Sequence, residues 1–163
     1  MLFKKILIPL LLFIIICSCN SKKKYYNNFL DQLAGNYEIE ELNYISSKGT
    51  DSTIYDAGTF YFDNCGYHKT TSESICDGEL YIEPINTDGT FEYHIFDERT
   101  MYISIKWSPE YYENENKDPL GLNVHNCEVF FDGNKTILEF KDKESAQKSN
   151  FNIYPYSIVL SKY

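Results

Sequence analysis

Positive charge is scarce in this 163-residue chain: 15 lysines and arginines stand against 24 aspartates and glutamates, for a formal net charge of −9 at neutral pH. With no basic groove to neutralise phosphates, nucleic acid is excluded as a partner. Long hydrophobic runs are missing too. The one apolar stretch, Ile6 to Cys17, covers roughly 18 Å as a helix and falls short of the ~30 Å hydrocarbon core. No Cys-x-x-Cys occurs, which leaves redox and zinc readings unsupported. Gly-x-Ser-x-Gly, His-Glu-x-x-His, the phosphate loop and the dinucleotide fingerprint are equally absent. Each of the three Asp-Gly pairs fails as the centre of a calcium loop, because Pro84 or Phe130 falls at a ligand position. His68, His94 and His125 are the only histidines, and they read as surface or hydrogen-bonded side chains. The carboxylate pairs Asp97-Glu98 and Glu113-Glu115 sit in expected turns as solvated charges. The expectation is a protein that is not an enzyme, with no catalytic residue, no metal and no cofactor.

Aromatic residues, by contrast, make up 17% of the chain, with 15 tyrosines, more than a disordered product carries. At the start, Lys4-Lys5, a short apolar centre and small polar residues form the pattern of a secretory signal peptide, and Pro9 argues against a core strand there. The quartet Ile16-Cys17-Ser18-Cys19 resembles the lipobox of bacterial lipoproteins. That resemblance implies cleavage behind small Ser18 and a diacylglyceryl group on the thiol of Cys19; Cys17 fits less well because bulky Ile16 precedes it. Two acyl chains anchor stably where one binds reversibly. The expected division is a signal peptide over residues 1–18, a lipidated tether over 19–28 and one domain over 29–163. Removing residues 1–18 with their two lysines takes the net charge from −9 to about −11, and a chain of this size still buries a real core. Lys22, Lys23 and Lys24 serve either as a solvated tether or as a contact with anionic lipid worth ~1 kcal/mol each. The implied location is the cell envelope, on the outer membrane. Lysines rather than an acidic export run follow Cys19, which favours the periplasmic face.

Beyond the tether, "YYNNFLDQLAG" predicts one short helical turn capped by Asn27 or Asn28, with Phe29, Leu30 and Leu33 on one side and Gly35 as its stop. The period then changes to two. Tyr37 and Ile39 alternate with glutamates, and the phase slips at Glu41 as a bulge would cause. Phe60 and Phe62, then Leu80 and Ile82, then Phe91, Tyr93 and Ile95 continue the pattern. It resumes in Ile103, Ile105 and Trp107, in Cys127, Val129 and Phe131, in Leu138 and Phe140, and in Tyr156, Ile158 and Leu160. Eight strands follow, with turn signals at Asp77-Gly78, Asp88-Gly89 and Asp132-Gly133. The class is all-β, an eight-stranded antiparallel barrel or a β-sandwich. Glu, Lys, Ser or His on the second face of nearly every strand excludes a lipid-facing band. Cys65 and Cys76 flank "GTFYF" and "GELYIE", so antiparallel pairing of those strands favours a disulfide between them and leaves Cys127 over; three reduced cysteines is the alternative.

"LAGNYEIEELNY", "TDGTFEYHI" and the ending "KTILEFKDK" to "YSIVLSK" are similar to the first, middle and last strands of lipocalin-like lipoproteins of the Bacteroidota type. Here Tyr37 stands in place of that group's tryptophan, and no arginine lies in the final strand to pack across it. The resemblance implies an up-and-down barrel whose open end takes an apolar ligand. The first functional reading is a binding module for a small apolar or amphipathic ligand, which a cavity lined by the inward-phase residues Tyr37, Phe60, Phe91, Ile103 and Phe140 would favour over a filled core. The alternative is an inhibitor or immunity-like lipoprotein that sets acidic, tyrosine-rich loops against a basic protein. Residues 108–122, with Tyr111 and Tyr112, are the longest aperiodic stretch, and 142–152 is a second.

Overall fold

A computed structural model describes residues 24–46, 48–66, 75–108, 124–140 and 153–163. Eight strands follow in chain order: β1 (Gly35–Ser46), β2 (Asp51–Phe62), β3 (Ile75–Ile82), β4 (Thr87–Ile95), β5 (Thr100–Trp107), β6 (Val124–Asp132), β7 (Lys135–Phe140) and β8 (Ile153–Lys162). Each pairs antiparallel with the next and β8 returns to β1, so the sheet is a closed up-and-down barrel. That last pairing rules out the sandwich and removes both sheet edges.

The period of two does the sorting. Met101, Ile103, Ile105 and Trp107 are buried, while Tyr102, Ser104 and Lys106 between them face outward. Register partners lead from Tyr37 to Phe60, Leu80, Gly89 and Trp107. This path starts near the first residue of β1 and ends on the last of β5. The strands are therefore steeply tilted, as eight strands must be to close around an interior of side-chain width.

The phase slip at Glu41 is present: the register shifts between Ile39 and Glu41 on both sides, Glu40 being the extra residue against β8, while against β2 the extra residue lies in β2, where Asp56 and Ala57 stand opposite Glu40. A second irregularity was not legible. Asn43 pairs with Ser157 but Tyr44 with Pro155, so Pro155 is buried and Tyr156, expected inward, is only half-buried. Two of the three Asp-Gly signals are not turns. Asp77-Gly78 lies within β3 and Asp88-Gly89 within β4; only Asp132-Gly133 joins two strands. Gly78 is inward, and a Cβ there would sit 2.1 Å from Phe91 Cζ. The glycine makes room for a ring on the neighbouring strand rather than for a reversal of the chain. β2 also begins earlier than the "GTFYF" pattern. Asp56 (φ 51°) and Gly58 (φ 134°) interrupt its alternation, and a Cβ on Gly58 would lie 1.9 Å from the Tyr81 carbonyl oxygen.

Helix α1 (residues 24–33) begins one turn before the expected Asn cap. Tyr26, Phe29, Leu30 and Leu33, all buried, recur at the three- and four-residue spacing of one helical face. That face closes the barrel end where β1 starts and β8 finishes. Phe29 meets Phe131 edge-on with ring centroids 5.5 Å apart.

Candidate functional site

The helix is locked to the barrel by its C-terminal carbonyls, which a helix leaves without internal partners. The Tyr37 hydroxyl donates to the Leu33 carbonyl at 2.8 Å, with the Gln32 carbonyl 3.1 Å away as a second acceptor. Lys162 Nζ donates to that same Gln32 carbonyl at 3.1 Å and lies 5.5 Å from the centroid of the Tyr37 ring. A cation at that distance is attracted by the ring face and by the negative end of the helix dipole. A lysine of the final strand thus packs across Tyr37. Thr136, itself buried, points its hydroxyl at Tyr37 at 3.5 Å. Burial holds the Tyr37 phenol above its usual range, against the hydrogen bond from Thr136, so it stays protonated as a donor.

Above this node stands a ring cluster. Phe62 contacts Tyr37, Phe60, Phe91 and Tyr93 at centroid distances of 5.8, 5.6, 5.1 and 5.5 Å. Phe60 and Phe91 touch at 5.5 Å. Of the five proposed ligand-lining residues, the fold therefore brings Tyr37, Phe60 and Phe91 together; Ile103 is the register partner of Tyr93, and Phe140 pairs with Cys127 on the wall between β6 and β7. All five are buried, from 0% exposed for Tyr37 to 7% for Phe140. Tyr37, Phe62, Tyr93 and Leu160 have no access to water, so side chains fill the half of the interior nearest α1. Phe62 and Tyr93 are the members of the cluster that the sequence reading did not single out as site residues. Their signal was their inward phase, which they share with every other core position.

The Tyr93 hydroxyl donates to the Asp63 carbonyl just past β2. Burial, aided by the charge of Asp63, keeps this phenol protonated well above its usual range. Beside it Cys65 and Cys76 form the expected disulfide, with Cα atoms 5.3 Å apart, because Phe62 pairs with Gly78 and so aligns the strand ends. Cys127 is free and buried, and desolvation pushes its thiol up to about 12. Among the described residues no three His, Cys, Asp or Glu side chains gather into a metal site. His68, residues 109–123 and residues 141–152 lie outside the described residues, as does Cys19.

Two adjoining clefts lie on the outside of the wall, across β2 to β5. One, of about 590 Å³, is lined by Tyr61, Tyr81, Tyr163, Glu79, Asp88 and Lys106 among others. The second, of about 450 Å³, shares Tyr61, Glu79 and Lys106 and adds Asp63, Asp77 and Glu92. Lys106 is paired with Glu92 at 3.0 Å, so carboxylates dominate this surface.

No protein-family model and no curated protein matches this sequence. Among solved structures, a lipocalin-like protein from Bacteroides uniformis is similar to it in fold, at 13% identity. The match covers 81% of this chain and 99% of that one, with a TM-score of 0.40. At that level the likeness carries no argument of its own, and the barrel assignment stands on the strand pairing.

Proposed function

We propose that this chain is a lipid-anchored, non-enzymatic binding module of the bacterial cell envelope, tethered through Cys19 and taking one small apolar or amphipathic ligand in its barrel. The observation that supports the reading is a closed barrel stoppered at one end by α1. The stoppered end is the one from which the tether leaves, so a ligand enters at the far end, among the connections β1–β2, β3–β4, β5–β6 and β7–β8. Tyr37 with its ring neighbours forms the floor, and Phe60, Phe91, Ile103 and Phe140 belong to the wall above it. Because these side chains pack closely in the free protein, admitting a ligand requires those nearest the open end to part, and affinity is lowered by that reorganisation. The test is mass spectrometry of the gently purified mature protein, joined to titration with a fluorescent fatty-acid analogue. The expected result is a diacylglyceryl group on Cys19, one disulfide and saturable binding at one probe per chain. An unmodified N-terminus on a folded barrel that binds no probe would overturn the reading.

The acidic clefts favour a second reading, in which a basic protein docks on the outer wall. Glu79→Lys with Asp88→Lys separates the two. Loss of a basic partner with probe binding intact supports the outer wall as the working surface, and the converse supports the interior.

A further inference from the structure

The outer face of the barrel mixes charged, polar and apolar side chains, and one aromatic and apolar strip lies beside α1. Ile75 of β3 faces His94 of β4, which in turn faces Tyr102 of β5. All three point outward, alternating with buried Cys76, Tyr93, Met101 and Ile103. Phe96 follows at the end of β4. Its ring lies 6.4 Å from Tyr102, and Tyr102 lies 5.9 Å from His94. Tyr25, in the first turn of α1, donates its hydroxyl to the Phe96 carbonyl at 3.3 Å. Ile75 and Phe96 are each 52% exposed. A continuous strip thus runs from β3 to the beginning of α1. The carboxylate nearest to it in sequence is turned aside: Asp97 Oδ1 accepts from the backbone N–H groups of Arg99 and Thr100 at 2.9 and 2.8 Å. Exposed apolar strips rimmed by polar groups mark contact surfaces.

The chain that leaves this strip says what covers it. Tyr25 is six residues from Cys19, at most about 22 Å of extended chain, and residue 24 is already helical. Acyl chains on Cys19 therefore hold the strip within reach of the bilayer surface. Tyrosine and histidine settle at the headgroup layer, with one part apolar and another wet, and half-exposed Phe96 and Ile75 add purely apolar area beside them. The lysines at 22, 23 and 24 would add attraction to anionic lipid.

We propose that the strip Tyr25, Phe96, Tyr102, His94 and Ile75 rests on the membrane and fixes the orientation of the barrel, with α1 toward the lipid and the opposite end toward the aqueous compartment. The proposal rests on the lipoprotein reading, since a strip this small gives no lasting membrane residence without the acyl chains. The experiment uses the full chain, expressed so that lipidation proceeds and reconstituted in phosphatidylcholine–phosphatidylglycerol vesicles containing a brominated lipid. Tryptophan is introduced by Phe96→Trp, with Ile75→Trp as a second reporter should the first misfold. Tyr55→Trp, exposed on β2 away from the strip, is the control; native Trp107 is buried and common to all. The expected result is loss of most of the added emission at position 96 or 75 and none at position 55. Acylated protein with unquenched emission at 96 and 75 overturns this orientation and leaves lipidation standing. Absence of the acyl group, seen by intact mass, removes both. Equal quenching at position 55, or a concentration-dependent blue shift without lipid that marks a second copy on the strip, also overturns it.

Discussion

The Tyr37 hydroxyl closes the end of α1 and faces buried Thr136, so deleting that single oxygen leaves the Leu33 carbonyl and the Thr136 hydroxyl short of a partner away from water. Such a loss costs about 1–2 kcal/mol. Tyr37→Phe should lower the urea midpoint accordingly with an unchanged slope, and an unchanged midpoint would show that α1 is held by packing alone. Phe62 is a larger case, because its ring touches four others. Phe62→Ala should cost about 3–5 kcal/mol, the range for emptying a buried aromatic site, with the loss of edge-on ring contacts adding to the cavity. Chemical denaturation measures it, and a cost near that of an exposed Tyr55→Ala change would contradict the packing described. Cys127 is a chemical counterpart to these. Burial withholds its thiolate, so in the folded barrel it should resist alkylation at mildly alkaline pH and react fully once urea unfolds the barrel. Native-state labelling would argue that the wall between β6 and β7 opens.

Pairing of β2 with β3 aligns Cys65 and Cys76, which stand eleven positions apart in sequence. Closing a loop of that size removes entropy from the unfolded chain worth about 3 kcal/mol. The Cys65→Ser, Cys76→Ser double variant should lose roughly that much, and reductant should bring the wild-type midpoint down to the variant's while leaving the variant unmoved. At this scale the sequence was readable wherever a single rule governed. Strand phase depends only on which face meets the interior, and the inward sets of β4, β5 and β7 were legible from alternation alone. Where two rules competed, the weaker signal misled. Asp-Gly marks a turn when glycine is needed for its backbone freedom, but Gly78 is needed because Phe91 occupies the space of its side chain, a fact set by the neighbouring strand. The start of α1 was hidden in the same way, since Tyr26 becomes a core residue only when the barrel end lies beneath it.

Closure of the whole molecule depends on β8 entering between strands far apart in sequence, β1 and β7. Nothing local in any strand encodes that meeting, and the sequence left barrel and sandwich both open until the pairing of β1 with β8 decided it. The same holds for the site. Inward phase named Tyr37, Phe60 and Phe91 without revealing Lys162, which reaches Tyr37 only because the two ends of the sheet join. On the outside, this seam carries its own charge pair: Glu40, the bulge residue of β1, accepts from Lys135 of β7 across the intervening β8. The hydrogen bond from Lys135 holds the Glu40 carboxyl below its usual range, and the same bond holds the Lys135 ammonium above its own. A depressed carboxyl contributes stability that is complete above its unfolded pKa and lost as pH falls through the folded one. The raised ammonium contributes below its unfolded pKa and loses this as pH rises through the folded value. The pair therefore works across the neutral range and fails at both extremes. Both groups are exposed, so the effect is small and salt-screened. Glu40→Gln should lower the urea midpoint slightly near neutral pH and at low ionic strength, with the difference from wild type shrinking as pH falls below the ordinary carboxyl range and vanishing once it passes below the depressed folded value. Lys135→Met should do the same, and the double variant should be no worse than either alone. A deficit that persists in acid would mean that the bulge itself, rather than the charge pair spanning it, holds the seam closed.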